Sequence, residues 1–185
     1  KVGTIIANFS QAFPDSPDTY NAIVEAAEYI YSYEMFKKQE TDITFKKDIF
    51  ENAIQLAAGA RGDFGGIDQY NDTYISIPSW LKKGTFSDVV DTLREDKELL
   101  TKALGNQEGI GVAMRDGSIR QIDIFKNNPN PEFIAVGNGR YKISLGDHPS
   151  KGTPRYVMTN NFDIFKGTQK PLILDLNLIK SNIEE

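Results

Sequence analysis

The fold of this chain is decided by residues 133–145, which read Phe-Ile-Ala-Val-Gly-Asn-Gly-Arg-Tyr-Lys-Ile-Ser-Leu. Gly137-Asn138-Gly139 supplies residues that tolerate positive φ, and it stands between two runs rich in apolar residues. A turn of this kind between such runs is typical of a β-hairpin. The stretch therefore predicts two antiparallel strands, at residues 133–136 and 140–145.

Similar signals surround this hairpin after Gly105, where the spacing of apolar residues changes from that of a helix to the every-second-residue alternation of a strand. Asp116-Gly117 predicts a second turn between strands at 111–115 and 118–125. Asn160-Asn161 predicts a third turn in the same way, and residues 172–176 predict a last strand. The C-terminal half is therefore expected to be an antiparallel meander.

The first half of the chain has a mainly helical pattern. Ser16 can cap a helix that begins at Pro17 and runs to about residue 39, and Thr44 can cap a second helix that ends before Gly59. A third helix is expected at about 85–104, where Thr85 and Asp88 match a capping box. The remaining segments are expected to be a strand at 2–9, a glycine-rich loop at 61–68 and a short strand at 74–77.

Segregated helices and strands indicate an α+β fold rather than alternating parallel units. We expect a single domain over residues 1–185, with a helical part at about 1–104 and a strand-rich part at about 105–180. Its three N-terminal helices are expected to pack on the mostly antiparallel meander, because a meander alone leaves an apolar face in water.

The composition excludes several kinds of chemistry. The chain has 185 residues, no cysteine, one histidine and a net charge of −5. Absence of cysteine excludes disulfides, thiolate nucleophiles and cysteine-based metal sites, and one histidine excludes a His-pair site. No apolar run approaches the length of a membrane span, so no membrane partner is expected, and no cofactor motif is found.

Charge is divided unevenly along the chain. Residues 1–104 hold 11 basic and 17 acidic side chains, whereas residues 105–170 hold 9 basic and 6 acidic side chains. The strand-rich half is therefore mildly basic, a pattern that ordinary solvated surfaces also have.

Two motifs around the predicted loop at 61–68 have both a functional and a purely structural interpretation. Arg61-Gly62-Asp63 could bind an integrin, although Gly62 is also what a turn after a helix requires. Asp63, Asp68 and Asp72 could offer oxygens to calcium, although their spacing departs from the EF-hand pattern and such residues also form turns. The sequence leaves both uses open, and we assign no metal ligand.

The only histidine, His148, lies in a predicted loop with Lys151 and Arg155 nearby, and Arg140 could lie one strand away. Metal-free RNA cleavage needs a proton acceptor, a proton donor and cations that stabilise the charge on phosphorus. His148, a carboxylate such as Asp147 or Glu132, and these three cations would meet that requirement. One hypothesis is therefore a metal-independent ribonuclease-like toxin domain, and only this hypothesis implies a nucleic-acid partner.

The leading hypothesis is a non-enzymatic binding or assembly module with a protein partner or self-association. It rests on the lack of a recognisable catalytic motif, such as the Gly-x-Ser-x-Gly elbow. Because the chain begins with Lys1, we expect a processed or excised part of a larger extracellular or virion protein.

Overall fold

The structure is a computed structural model that describes residues 2–38, 44–106, 109–113, 119–121, 124–125, 130–147, 149–163 and 168–184. These residues form an α+β fold, as the sequence predicts, with six α-helices rather than three. The helices are α1 Val2–Phe9, α2 Pro17–Lys37, α3 Lys47–Ala57, α4 Phe86–Glu95, α5 Lys97–Ala103 and α6 Lys180–Ile183.

All strand pairings in the described residues are antiparallel. The strands are β1 Phe64–Tyr70, β2 Thr73–Lys82, β3 Gly109–Ala113, β4 Ile119–Gln121, β5 Glu132–Gly137, β6 Arg140–Asp147, β7 Pro154–Tyr156, β8 Met158–Asp163, β9 Thr168–Pro171 and β10 Ile173–Asp175. Short 3-10 helices cover Ser10–Ala12 and Leu176–Ile179.

The chain divides into two compact units, residues 1–87 and 88–185, and the division falls inside α4. The expectation of a single domain stays a prediction. Each unit has its own buried apolar residues, and each is described by itself below.

The first unit packs α1, α2 and α3 with the β1–β2 hairpin. A cluster of buried side chains in this unit draws on all three helices, the first 3-10 helix and β1: Ile5, Phe9, Ala12, Tyr20, Ala27, Phe50, Ala53, Ile54 and Ile67. The N-terminal helices of this unit therefore have a two-stranded sheet within their own half of the chain.

The prediction of a strand at residues 2–9 was wrong, because this segment is α1. Ile5 and Phe9 are four residues apart, so a helix places both on one side, where both are buried. The Phe9 ring packs on the Tyr74 ring with centroids 4.7 Å apart, and the Tyr20 hydroxyl donates a hydrogen bond to the Ile6 carbonyl. These contacts outweigh the weak local alternation.

The prediction of a loop at 61–68 was also wrong for the part that forms β1. Gly66, at φ +81°, does not end the strand but makes room for a neighbour, since a Cβ there would lie 2.5 Å from the Gln55 side-chain oxygen. Gln55 uses that space to accept a hydrogen bond from the Ile67 amide and to donate one to the Ile67 carbonyl, both at 2.8 Å. An α3 side chain thus takes the place of a further strand beside β1.

The predicted starts of the first two long helices have different outcomes. Pro17 is the first residue of α2, as predicted, although the Ser16 side chain makes no capping hydrogen bond. The second helix begins at Lys47, three residues after Thr44.

The third predicted helix is divided into α4 and α5 at Asp96. The Asp96 carboxylate accepts a hydrogen bond from the Leu99 amide at 3.1 Å, which caps a new helix and explains the break. Thr85 does not form the predicted capping box, because its hydroxyl donates to the Lys82 carbonyl.

A carboxylate on a neighbouring strand serves the start of α4 instead. Asp68 of β1 is buried, and its Oδ2 accepts hydrogen bonds from the Gly84 amide at 3.0 Å and the Phe86 amide at 3.3 Å. Its Oδ1 accepts a third from the Gln69 amide. Asp68 therefore caps a helix that follows it by 18 residues.

In the second unit, the hairpin predicted from residues 133–145 is confirmed as β5 and β6. Asn138 and Gly139 lie at φ +56° and +75°, the left-handed turn that the sequence predicts. β6 also pairs with β10 and β7. The buried side chains around this sheet include Tyr141, Ile143, Val157, Leu172, Leu174, Leu176 and Ile179.

A second sheet of this unit has the order β4-β3-β8-β9. β3 and β4 pair as predicted, while the Asp116-Gly117 turn between them lies outside the described residues. The turn predicted at Asn160-Asn161 was wrong, because β8 runs through both residues. β8 pairs with β3 on one side and β9 on the other, and these pairings outweigh the local turn preference of asparagine.

Candidate functional site

A groove of about 400 Å³ lies in the first unit, where α1, β2 and the start of α3 meet. Its lining residues divide into an apolar wall and a polar rim: Thr4, Ile5, Asn8, Phe9, Phe45, Lys47, Glu51 and Tyr74. This volume falls in the lower part of the range typical of ligand sites, which also combine apolar walls with a few polar groups.

The apolar wall is built from side chains that the unit's packing holds in place. Ile5 and Phe9 are buried on one side of α1, and the Phe9 ring is fixed against Tyr74 of β2. Phe45 packs against the Phe50 ring, with centroids 5.5 Å apart. The rings are therefore fixed before any ligand arrives, which lowers the entropy cost of binding.

The polar rim carries one positive and one negative charge. Lys47 Nζ lies 3.6 Å from Glu51 Oε1, with both residues on the first two turns of α3 and both side chains substantially exposed. An exposed pair of this kind contributes little to stability, so either charge can turn to a ligand at small cost. Thr4 and Asn8, which are exposed and four residues apart on α1, add hydrogen-bonding groups to the rim.

Tyr20 of α2 anchors the helix that forms one side of the groove. Its hydroxyl donates to the Ile6 carbonyl, and its ring stacks on Phe13 with centroids 5.7 Å apart. Burial, which disfavours the phenolate, raises the pKa of Tyr20 from 10.0 to about 12. Tyr20 therefore acts as a neutral hydrogen-bond donor across the physiological pH range.

The residues of the ribonuclease hypothesis lie in the second unit, and His148 itself lies outside the described residues. Arg155 of β7 pairs with Gly146 near the end of β6, and one of its guanidinium nitrogens donates to the Leu145 carbonyl at 3.4 Å. Lys151 is exposed in the turn before β7. These two residues thus belong to the same end of the sheet as the β6–β7 connection.

Arg140 lies at the other end of β6, where its backbone is the register partner of Asp175 in β10. Six residues separate it from Gly146, the position opposite Arg155, so about 20 Å of strand lies between the two arginines. Arg155 and Lys151 therefore belong to one end of this sheet and Arg140 to the other, so the structure does not bring the three cations together.

The two motifs near β1 are also placed. Arg61, Gly62 and Asp63 are exposed in a tight turn. The turn is closed by two backbone hydrogen bonds between Arg61 and Phe64. Asp68 uses its carboxylate on three backbone amides, while Asp72 lies in the β1–β2 turn at φ +61°. Among the described residues, no three acidic, histidine or cysteine side chains are grouped so that they could hold a metal ion.

Sequence reasoning missed the groove. Its residues come from α1, β2, α3 and the segment just before α3, and the segment that forms α1 was predicted to be a strand. The available signal was the spacing of four between Ile5 and Phe9 and between Thr4 and Asn8, which gives α1 one apolar and one polar edge.

No helix in the part of the chain that the structure describes is long and apolar enough to cross a membrane. Comparison of the chain with protein-family models, with curated proteins and with solved structures gives no significant match in any of the three. The groove and the surfaces of the chain itself are therefore the basis for the function proposed below.

Proposed function

We propose that this protein is a non-enzymatic binding module, and that its first unit recognises a segment of a partner protein in the groove between α1, α3 and β2. The observation that carries the proposal is the combination of a fixed aromatic wall with a charged rim in one cavity of about 400 Å³. The partner segment would carry one large apolar side chain as its anchor.

The chemistry of the lining supports a peptide anchor. Burial of one large apolar side chain contributes roughly 1.5–3 kcal/mol, and the Phe9, Phe45 and Tyr74 rings offer it an apolar surface. Backbone groups of an extended segment could bond to Thr4 and Asn8 at the rim. Lys47 and Glu51 would then favour a segment with charged residues beside the anchor, through electrostatic complementarity at the edge of the contact.

The test uses a substitution that fills the groove from its rim. Thr4 is exposed, so Thr4→Trp adds an indole over the groove without removing a buried side chain. Ala7→Trp is the matched control, because Ala7 is an exposed residue of the same helix that does not line the groove. A library of displayed random peptides is selected on the wild-type protein, and the enriched peptides are then measured on all three proteins by fluorescence anisotropy.

We expect enriched peptides to share an aromatic or large aliphatic residue, to bind wild type and Ala7→Trp equally, and to bind Thr4→Trp at least tenfold more weakly. Failure to enrich any peptide, or equal binding to Thr4→Trp, would overturn the proposal. Cleavage of transfer RNA or total RNA by the wild-type protein, lost in His148→Ala, would replace it with the ribonuclease alternative.

A further inference from the structure

One face of α2 is exposed although it carries three aromatic rings. Tyr29, Tyr33 and Phe36 are 74%, 63% and 82% exposed, whereas Tyr20 and Ala27 on the same helix are buried. Large aromatic side chains are the groups whose burial contributes most to packing, so three of them in a row on a helix surface mark an interaction site.

These rings belong to a longer stripe with heptad spacing, which we call the α2 stripe: Thr19, Ala22, Ala26, Tyr29, Tyr33 and Phe36. All six residues are exposed. Successive members are separated by three, four, three, four and three residues, which is the spacing of the contact positions in a two-helix coiled coil. The buried residues Tyr20 and Ala27 lie on the opposite side of the helix, so the stripe faces away from the core of its own unit.

The stripe is divided by side-chain size. Its N-terminal half has the small residues Thr19, Ala22 and Ala26, and its C-terminal half has only aromatic residues. An antiparallel second copy brings each small residue level with an aromatic ring: Ala26 with Tyr29, Ala22 with Tyr33, and Thr19 with Phe36. Every layer then combines one small and one large side chain, which allows close packing along the whole stripe.

A parallel arrangement lacks this fit. It would place Phe36 against Phe36 and Ala22 against Ala22, which separates the helices at one end and leaves a gap at the other. It would also bring the Lys37 and Lys38 side chains of the two copies together. In the antiparallel arrangement, Asp18 of one copy is level with Lys37 of the second copy, so opposite charges lie at each end.

We propose that the α2 stripe is a self-association surface on which α2 packs antiparallel against α2 of a second copy of this chain. The arrangement has a twofold axis between the levels of Ala26 and Tyr29, as a closed homodimer requires. This inference goes beyond the proposed binding function, because the stripe and the groove consist of different residues.

The exposed rings show how large an area the contact would bury. Six partly exposed rings, at about 150–250 Å² each when fully buried, supply roughly 700–1,000 Å² from the two copies. An interface of this size is at the low end of specific protein contacts. We therefore expect a reversible dimer with a dissociation constant in the micromolar range or weaker.

Sedimentation equilibrium over concentrations that span the micromolar range tests the association. We expect a monomer–dimer equilibrium for the wild type, and at least tenfold weaker association for Phe36→Glu, which places a charge in an outer layer of the contact. Phe64→Glu is the matched control, because Phe64 is another exposed phenylalanine of the first unit, outside the stripe, and its variant should associate like the wild type. A wild type that stays monomeric throughout, or equal association of the Phe36→Glu and wild-type proteins, would overturn the proposal.

Cysteine cross-linking tests the orientation, because the native chain has no cysteine to interfere. In the antiparallel register, Ala22 faces Tyr33 of the second copy, and the two copies of residue 22 are about 16 Å apart along the axis. The double variant Ala22→Cys, Tyr33→Cys should therefore form dimers with a short thiol cross-linker, whereas Ala22→Cys alone should not. Efficient cross-linking of the Ala22→Cys variant alone would contradict the antiparallel arrangement.

The two proposals can fail separately. Thr4→Trp fills the groove but leaves the stripe unchanged, so it should lose peptide binding and keep the wild-type association constant. Phe36→Glu should show the reverse behaviour. A protein that binds peptides but never dimerises would overturn the stripe alone, and a protein that dimerises but binds no peptide would overturn the groove alone.

Discussion

Tyr20 connects two helices through one hydroxyl, and its ionisation links that contact to pH. The hydroxyl donates to the Ile6 carbonyl of α1, while burial of the residue raises its pKa to about 12. The folded state therefore holds the phenolic proton at pH values where an unfolded chain, with a tyrosine pKa of about 10, has released it.

We predict that Tyr20 makes the folded state less stable in strong base. Its stabilising contribution is fully present below about pH 10 and is lost as the pH rises from 10 towards 12, with a maximum loss of roughly 3 kcal/mol. Tyr20→Phe should lower the free energy of unfolding by about 1 kcal/mol at pH 8, because it removes one hydrogen bond. The free energy of unfolding of this variant should fall less steeply with rising pH than that of the wild type. Urea unfolding of both proteins from pH 8 to 12 measures the difference, and parallel pH profiles would contradict the prediction.

Gln55 is the residue through which one element, α3, holds another, β1. Its side-chain amide satisfies both the N–H and the C=O of Ile67, so a single side chain provides the hydrogen bonds that a neighbouring strand would supply. Gly66 permits this contact because no Cβ occupies the space of the Gln55 oxygen.

We predict that Gln55→Ala lowers the free energy of unfolding by about 2–3 kcal/mol, because it leaves two backbone groups of Ile67 without partners. Gln55→Glu should cost at least as much at pH 7, since a carboxylate can accept from the amide but is repelled by the carbonyl. Acid should reduce the cost of Gln55→Glu, because a protonated carboxyl can donate again.

Gln69→Ala is the control for this pair of substitutions. Gln69 is exposed on β1, and its side chain should contribute within about 0.5 kcal/mol. Equilibrium urea unfolding measures all three variants. A Gln55→Ala protein as stable as Gln69→Ala would show that the Gln55 contact contributes nothing to holding β1.

The element scale also shows where local patterns were sufficient. The β5–β6 hairpin formed as predicted because its turn needs positive φ at Asn138 and Gly139, a requirement that the sequence states directly. The division at Asp96 was missed although an aspartate three residues before Leu99 is itself a capping signal. The capping of α4 by Asp68 could not be predicted from the residues near α4 in the sequence, because 18 residues separate Asp68 from Phe86.

At the scale of the whole molecule, the chain divides into two compact units, and α4 contains the boundary between Ser87 and Asp88. Helix formation is cooperative, because the first turn loses much conformational entropy for one hydrogen bond, whereas each later residue adds its own hydrogen bond at a smaller entropy cost. Asp68 of the first unit also caps the start of α4, which continues into residues of the second unit.

We predict that the full chain unfolds in one cooperative transition, as the single-domain expectation requires. Differential scanning calorimetry should give a calorimetric enthalpy equal to the van't Hoff enthalpy. The measurement belongs at a low protein concentration, where association through the α2 stripe is negligible and the midpoint does not depend on concentration. Two resolved transitions would show instead that residues 1–87 and 88–185 unfold independently.

The candidate sites divide in the same way between local and tertiary information. Thr19, Ala22, Ala26, Tyr29, Tyr33 and Phe36 have heptad spacing in the sequence, but only the structure shows that this face of α2 is exposed. The groove required even more tertiary information, since Phe9 lies in α1, Tyr74 in β2 and Phe45 in the segment just before α3. Neither site contains the residues around His148, which sequence reasoning had selected for their chemistry.

By itself, the sequence determined the α+β class, the α2 helix and the β5–β6 hairpin, whose turn requires particular backbone angles, because these depend on residues close together in the chain. The tertiary structure alone decided that residues 2–9 form a helix, that β1 continues through Gly65 and Gly66, and that β8 continues through Asn160 and Asn161. In each of these three cases, contacts with distant residues outweigh a weak local preference. The same physical reason applies to the groove and the exposed stripe, since burial and exposure are properties of the packed chain and not of any segment within it.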